Sequence, residues 1–230
     1  MTENPYLEGK ILVVDKPLNW TSFDVVNKIR YAIKDKYKIK KIKVGHAGTL
    51  DPLATGVVVI CTGKKTKIIN DFLIEDKSYV GKFQIGATTP SFDLETEIDY
   101  NYPIPNIDES ILRKLEQNFT GELEQVPPIF SAKRINGKRA YDFARANEKI
   151  ELNPVKINIK ELKLQLIAQN IIQFNCTCSK GTYIRSLARD IGKALESGAF
   201  LTELRRNKSG NFSVEQSKSV EEWVDIIKSS

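Results

Sequence analysis

Val44-Gly45-His46-Ala47-Gly48-Thr49-Leu50-Asp51-Pro52-Leu53-Ala54-Thr55-Gly56, running on into Val57-Val58-Val59-Ile60-Cys61, is the stretch from which the rest of the chain is best read. Its glycines and Pro52 suit neither a helix nor an uninterrupted strand, so residues 44–56 read as an ordered loop. The β-branched run that leaves it reads as a buried strand. An aspartate held between Gly48 and Pro52 has little freedom, which is what chemistry that needs a fixed carboxylate requires. Taken alone, Asp51-Pro52 reads first as an ordinary turn, with Asp51 as its cap.

Upstream of this loop, Lys10 to Asp15 reads as a short strand stopped by Lys16-Pro17. Thr21 and Asp24 have capping-box spacing, and Val25, Val26, Ile29 and Ile33 recur at helical intervals, so a helix is expected from about Ser22 to Lys34. Downstream, Tyr79, Phe83 and Ile85 alternate with Val80, Lys82 and Gln84 as in a half-buried strand. Ile111, Leu112, Leu115 and Phe119 mark an amphipathic helix. Leu162, Leu164 and Leu166, then Ile172, Phe174, Cys176 and Cys178, alternate across the short connection Ala168-Gln169-Asn170 and predict an antiparallel pair. Gly181 opens a helix faced by Ile184, Leu187, Ile191 and Leu195, and Ser219 with Glu222 caps a last short helix carrying Trp223 and Ile227. The expected fold is a single α/β (α+β) domain over residues 1–230. It has a mixed, largely antiparallel central sheet flanked by helices and loops, an excursion at about 125–149, and a short tail at 211–230.

Composition narrows the function classes. The 230 residues are 41% hydrophobic and 28% charged, the balance of a globular chain, and no apolar run reaches membrane-spanning length. With no secretory signal at Met1 to Lys10 and an odd set of three cysteines, a reducing, cytoplasmic setting is expected. The net charge of +6 favours a polyanionic partner. Basic residues gather at Lys28 to Lys43, at Lys133, Arg134, Lys138, Arg139 and Arg145, and at Arg205, Arg206 and Lys208. The first group alone reads as a solvated face, but the three together suit a surface that tracks phosphates. His46 is the only histidine, and no nucleophile motif accompanies it, so a Ser-His-Asp or Cys-His system is not expected. Cys176 and Cys178 share one face of a strand and read as core residues rather than zinc ligands.

The order-specific string Gly45-His46-Ala47-Gly48-Thr49-Leu50-Asp51-Pro52-Leu53-Ala54-Thr55-Gly56 closely resembles the catalytic loop of the TruB family, the tRNA pseudouridine-55 synthases. Further segments agree in the same order: Asp15-Lys16-Pro17 with Thr21-Ser22; Lys77-Ser78-Tyr79; Pro127 to Ala132 with Gly137 and Tyr141; Cys178 to Leu187; and Leu204-Arg205-Arg206. The resemblance implies the pseudouridine-synthase fold, with 125–149 as an RNA-gripping insertion. It implies isomerisation of uridine 55 in the T-arm of tRNA by an aspartate nucleophile and base flipping, without cofactor, metal, membrane or guide RNA, by a monomer. Asp51 is then the nucleophile, attacking either base or ribose, and Arg185 the cation beside it. Tyr79 stacks on the target base and assists proton transfer. Tyr183 and Leu204 line the uridine pocket, His46 fills the space left by the extruded base, and Lys16 contacts phosphate or the active site. Lys133, Arg134, Lys138, Arg139, Arg205 and Arg206 are the expected RNA contacts; the family commonly has lysine where Arg134 stands. Many bacterial relatives append a small RNA-binding domain, for which the residues after Leu204 are too few. The tail 219–230 is therefore expected to be dispensable for tRNA affinity. A non-catalytic RNA-binding or tRNA-folding protein on the same scaffold is the alternative.

Overall fold

In the computed structural model, residues 4–131, 134–135, 138–139 and 152–230 are described. In chain order the strands are β1 (Ile11–Lys16), β2 (Val44–His46), β3 (Ala54–Thr62), β4 (Lys77–Ile85), β5 (Ala87–Thr88), β6 (Tyr100–Asn101), β7 (Gly121–Gln125), β8 (Arg134–Ile135), β9 (Lys138–Arg139), β10 (Val155–Ala168), β11 (Ile171–Cys178), β12 (Ala199–Ser209), β13 (Phe212–Ser213) and β14 (Lys218–Ser219). The helices are α1 (Pro5–Glu8), α2 (Ser22–Tyr37), α3 (Ile69–Leu73), α4 (Glu109–Asn118), α5 (Ile184–Ala194) and α6 (Val220–Ser229). The architecture is mixed α/β with a mostly antiparallel sheet, as expected. Among the described residues no helix is long and apolar enough to cross a membrane. The chain forms two compact units, residues 1–79 with 204–230, and residues 80–203; β4 and β12 carry the chain from one to the other.

In the first unit β1 runs antiparallel to β3, and β3 runs parallel to the Leu204–Arg206 part of β12. Val57 to Cys61 are fully buried, because β3 lies inside the sheet with both faces covered. Helix α2 starts at the predicted box: the Thr21 hydroxyl accepts from the Asp24 N–H while the Asp24 carboxylate accepts from the Thr21 N–H. Its Val25, Val26, Ile29 and Ile33 pack on Leu12, Val14, Val58 and Ile60. Two expectations need correction. Residues 44–56 are not loop throughout: β2 pairs antiparallel with β3, and β3 begins at Ala54. Glycine at 45 and 56 is compatible with strand pairing wherever a close approach excludes a Cβ. At Gly56 a Cβ would lie 2.3 Å from the Arg206 carbonyl oxygen, at φ +108°. The second correction concerns the tail. Val220, Val224 and Ile227 of α6 are buried in the same core as α2, and Trp223 Nε1 donates to the Val13 carbonyl at 2.8 Å. Removing 219–230 would open this core, so its deletion does not isolate RNA affinity.

In the second unit the order is β4-β11-β10-β7, and β10 and β11 pair with Leu162 opposite Cys176, Leu164 opposite Phe174 and Leu166 opposite Ile172. Cys176 and Cys178 are buried on that shared face; hydrogen bonding between the two thiols, then burial, pushes the Cys176 thiol far above its usual range. Strand β12, invisible to the sequence reading, is long because Ala199, Phe200 and Leu201 are all buried without alternation, the pattern of an interior strand.

Candidate functional site

The Asp51 loop is held from three sides within the first unit. From below, the Arg206 guanidinium is 1% exposed and donates to the carbonyls of Val57 at 2.7 Å, Gly48 at 3.1 Å and Thr49 at 3.3 Å. From the side, the buried Ser22 hydroxyl at the start of α2 accepts the Leu50 N–H at 2.8 Å and donates to the Leu50 carbonyl at 3.2 Å. Inside the turn, the Asp51 carbonyl accepts the Ala54 N–H at 3.0 Å, and the Pro52 carbonyl accepts the Asn19 N–H at 2.8 Å. Asp51 itself is half-buried, at the crest of this turn.

Lys16 supplies a buried cation to the same place. Fully buried, its Nζ donates to the carbonyls of Trp20, Pro17 at 2.9 Å and Pro52 at 3.4 Å. Burial lowers its pKa to about 8, against the attraction of Asp51, which opposes the fall. It therefore does not meet phosphate directly, because its ammonium is enclosed by carbonyls. Tyr79 and Leu204, both half-buried, pack on the cluster that holds Leu50 and Ala54 on either side of Asp51. His46 pairs with Ile60 in β2 and is half-buried; burial lowers its pKa below the usual histidine value.

The second unit carries the other group. Arg185, 4% exposed, lies in the first turn of α5, donates to the Ser91 and Phe130 carbonyls at 3.2 and 2.8 Å, and faces Asp93 at 3.6 Å. Asp93, 5% exposed, sits in a loop closed by the Thr89 hydroxyl donating to its carbonyl at 2.7 Å. Tyr183 precedes α5, and its N–H donates to the buried Gln125 Oε1 at 2.8 Å.

The expected RNA contacts divide. Arg206 is a correction: enclosed as it is, its guanidinium shapes the Asp51 loop and has no face for RNA. Arg205 forks onto Asp15 at 2.7 and 3.1 Å, reaches the Thr55 hydroxyl at 3.2 Å, and stays partly exposed. Arg134 with Ile135 pairs against Lys138 with Arg139 as a two-stranded ribbon, and Lys133 lies outside the described residues. Sequence gives no role to Asp93 or Gln125, and marks Ser22 only as part of the Thr21-Ser22 segment, not as the hydroxyl that holds Leu50. They are polar residues buried in loops or at element ends, where periodicity carries no signal.

A family model described as the N-terminal domain of TruB family pseudouridylate synthase matches residues 34–184. The chain belongs to the TruB family. A second model, described as the tRNA pseudouridylate synthase B C-terminal domain, matches residues 185–229. As a TruB-family chain it is an enzyme, an isomerase that makes pseudouridine. It is 55% identical over 223 residues to a protein named tRNA pseudouridine synthase B from Phocaeicola vulgatus, covering 96% of this chain and 95% of that one. A protein of the same name from Flavobacterium johnsoniae is 53% identical, covering 93% and 94%. Among solved structures, one titled as a Cbf5-Nop10-Gar1 complex matches 96% of this TruB-family chain at 26% identity and TM-score 0.71, and the chain spans 54% of that protein.

Proposed function

We propose that this TruB-family enzyme isomerises uridine 55 in the T-arm of tRNA, with Asp51 as nucleophile. The observation that carries the reading is the carboxylate at the crest of a turn whose backbone is held by Arg206, Ser22 and the buried Lys16. The names of the relatives supply the substrate class, tRNA. In this reading the Asp51 carboxylate bonds to the target nucleoside and the bond from N1 to C1′ breaks. The freed base rotates and C5 bonds to C1′. The bond to Asp51 breaks, C5 loses its proton and N1 gains one, so the carboxylate is regenerated and the atoms balance without oxidant or cofactor. Lys16 places a buried positive charge within electrostatic reach of the Asp51 carboxylate. Tyr79 offers a ring for the base and a hydroxyl for the proton. The uridine must leave its stack to reach Asp51, at about a few kcal/mol. Arg134, Lys138 and Arg139 are proposed to offset that cost by holding phosphates.

The test is pseudouridine formation on an unmodified tRNA transcript, mapped by nucleotide, with the purified chain and no guide RNA or second protein. Wild type should act at one T-loop uridine, and Asp51→Asn should bind with similar Kd and not turn over. Turnover by Asp51→Asn would overturn the role of the aspartate. Dependence on an added guide would favour the mode suggested by the neighbour solved as an H/ACA RNP bound to substrate RNA.

A further inference from the structure

The outer face of α2 carries more than lysines. At 100° per residue Phe23, Asn27, Arg30, Tyr31 and Lys34 fall on one stripe, away from the buried Val25, Val26, Ile29 and Ile33, and the left-handed C-cap Lys38 closes it at the end of the helix. Phe23 and Tyr31 are 59% and 66% exposed, a large aromatic area to leave in water. Each ring carries a cation: the Arg30 guanidinium lies 5.9 Å from the Phe23 centroid and the Lys34 ammonium 5.7 Å from that of Tyr31. Such contacts hold long cationic side chains in place, so less conformational entropy is lost when an anion arrives.

The stripe contains three cations and no carboxylate. Its flanking acids are both engaged, Asp24 with Thr21 and Asp35 with Lys38 at 3.0 Å. It starts beside the site, since Ser22 at the head of α2 bonds Leu50 next to Asp51. From Phe23 it runs about 22 Å along the helix to Lys38. Beyond it, Lys40, Lys41 and Lys43 are all exposed.

We propose that this stripe is a second RNA-contact face, a track for the phosphates of the substrate tRNA outside the arm that carries the target uridine; the inference rests on the functional reading above. Charge selects the occupant. An identical stripe on a second copy would repel it, and an ordinary protein surface offers no continuous row of anions. An RNA backbone does, and its affinity for three clustered cations is dominated by counterion release. The exposed rings add faces on which a ribose or an unpaired base can rest.

The test compares filter-binding Kd for the full-length unmodified tRNA transcript and for the isolated T-arm hairpin. Two variants are used, Phe23→Ala with Tyr31→Ala, and Lys34→Gln with Lys38→Gln. Phe23 and Tyr31 are exposed on α2, Lys34 is half-exposed on the same face and Lys38 is the exposed C-cap, and far-ultraviolet circular dichroism checks that the helix persists. The lysine pair should weaken full-length tRNA about tenfold and lower the slope of log Kd against log salt by about two, with less than about a twofold effect on the hairpin. The aromatic pair should weaken full-length tRNA about threefold to tenfold with the salt slope kept. Equal losses on both RNAs, no loss on either, or sedimentation of the wild type as a dimer that the aromatic pair dissolves would each overturn the proposal. Failure of the wild type to make pseudouridine would strike the functional reading instead, because Kd and salt slope report on the stripe without turnover.

Discussion

Around Asp51 the buried cations Lys16 and Arg206 are surrounded by backbone carbonyls, whereas in the second unit the buried Arg185 has a carboxylate, Asp93, in addition to two carbonyls. The two arrangements fix different things. A guanidinium that gathers the carbonyls of Gly48, Thr49 and Val57 determines the path of a loop. A guanidinium opposed by a buried acid is itself what is being positioned. Removing a cation in the first region should therefore cost fold, and removing the acid in the second should cost function.

The largest effect is expected at Arg206. Arg206→Met removes the donors that the guanidinium supplies to three interior carbonyls, at on the order of 3–5 kcal/mol. Urea unfolding of Arg206→Lys should recover part of that loss, since one ammonium cannot match a five-donor fork. A loss under about 1 kcal/mol for the methionine variant would mean that the loop keeps its path without the cage. Next comes Asp93→Asn. Single-turnover rates should fall by on the order of tenfold to a hundredfold, because Arg185 loses the buried carboxylate of Asp93 and with it part of a fixed orientation. If the rate held while stability dropped, the pair would be scaffolding and the contrast between the units would collapse.

Titration of Lys16 sharpens the contrast, because it moves activity and stability in opposite directions. Its pKa in the fold is about 8, below the 10.5 of a free lysine. The burial penalty on the charged form is fully present below pH 8 and is relieved as the pH rises from about 8 to 10.5, so this group's contribution to stability grows with pH. Over the same interval Asp51 loses the neighbouring charge. Turnover should fall through an alkaline limb near pH 8, and Lys16→Met should give a low profile without that limb. A wild-type profile flat from pH 7 to 9 would show that the ammonium's charge does not matter to the reaction.

Much of this was legible in the sequence, for reasons that can be named. The β10–β11 pair and the caps at Thr21 and Ser219 were readable because period-two burial and capping boxes are local codes. Strand β12 was not, since its first residues are buried on both faces and its later ones include Arg205 and Arg206, which look like surface residues until their partners are known. The same ambiguity hid the role of Arg206. Two adjacent arginines in a strand point to opposite faces, and sequence alone does not say which faces the loop. Asp93 was hidden by its setting, a buried polar turn following Phe92 at φ +61°, where nothing repeats.

The smallest effect is expected at Arg205 and Asp15, which repeat the arginine–aspartate chemistry of Arg185 and Asp93 nearer to water. The fork is better formed, at 2.7 and 3.1 Å, but the side chains are 37% and 32% exposed rather than 5% and 7%. Solvent screens such a pair and offers both ions an alternative, so Arg205→Lys should cost no more than about 0.5–1 kcal/mol. Its melting temperature should drop by about 1–4 °C. The short distances at Arg205 and the longer one at Arg185 then separate two explanations of the contrast. If geometry governed, Arg205 would be the more costly position to change. If burial governs, as the dielectric argument requires, Asp93→Asn destabilises more than Arg205→Lys despite its looser contact, and the same melting series decides between them.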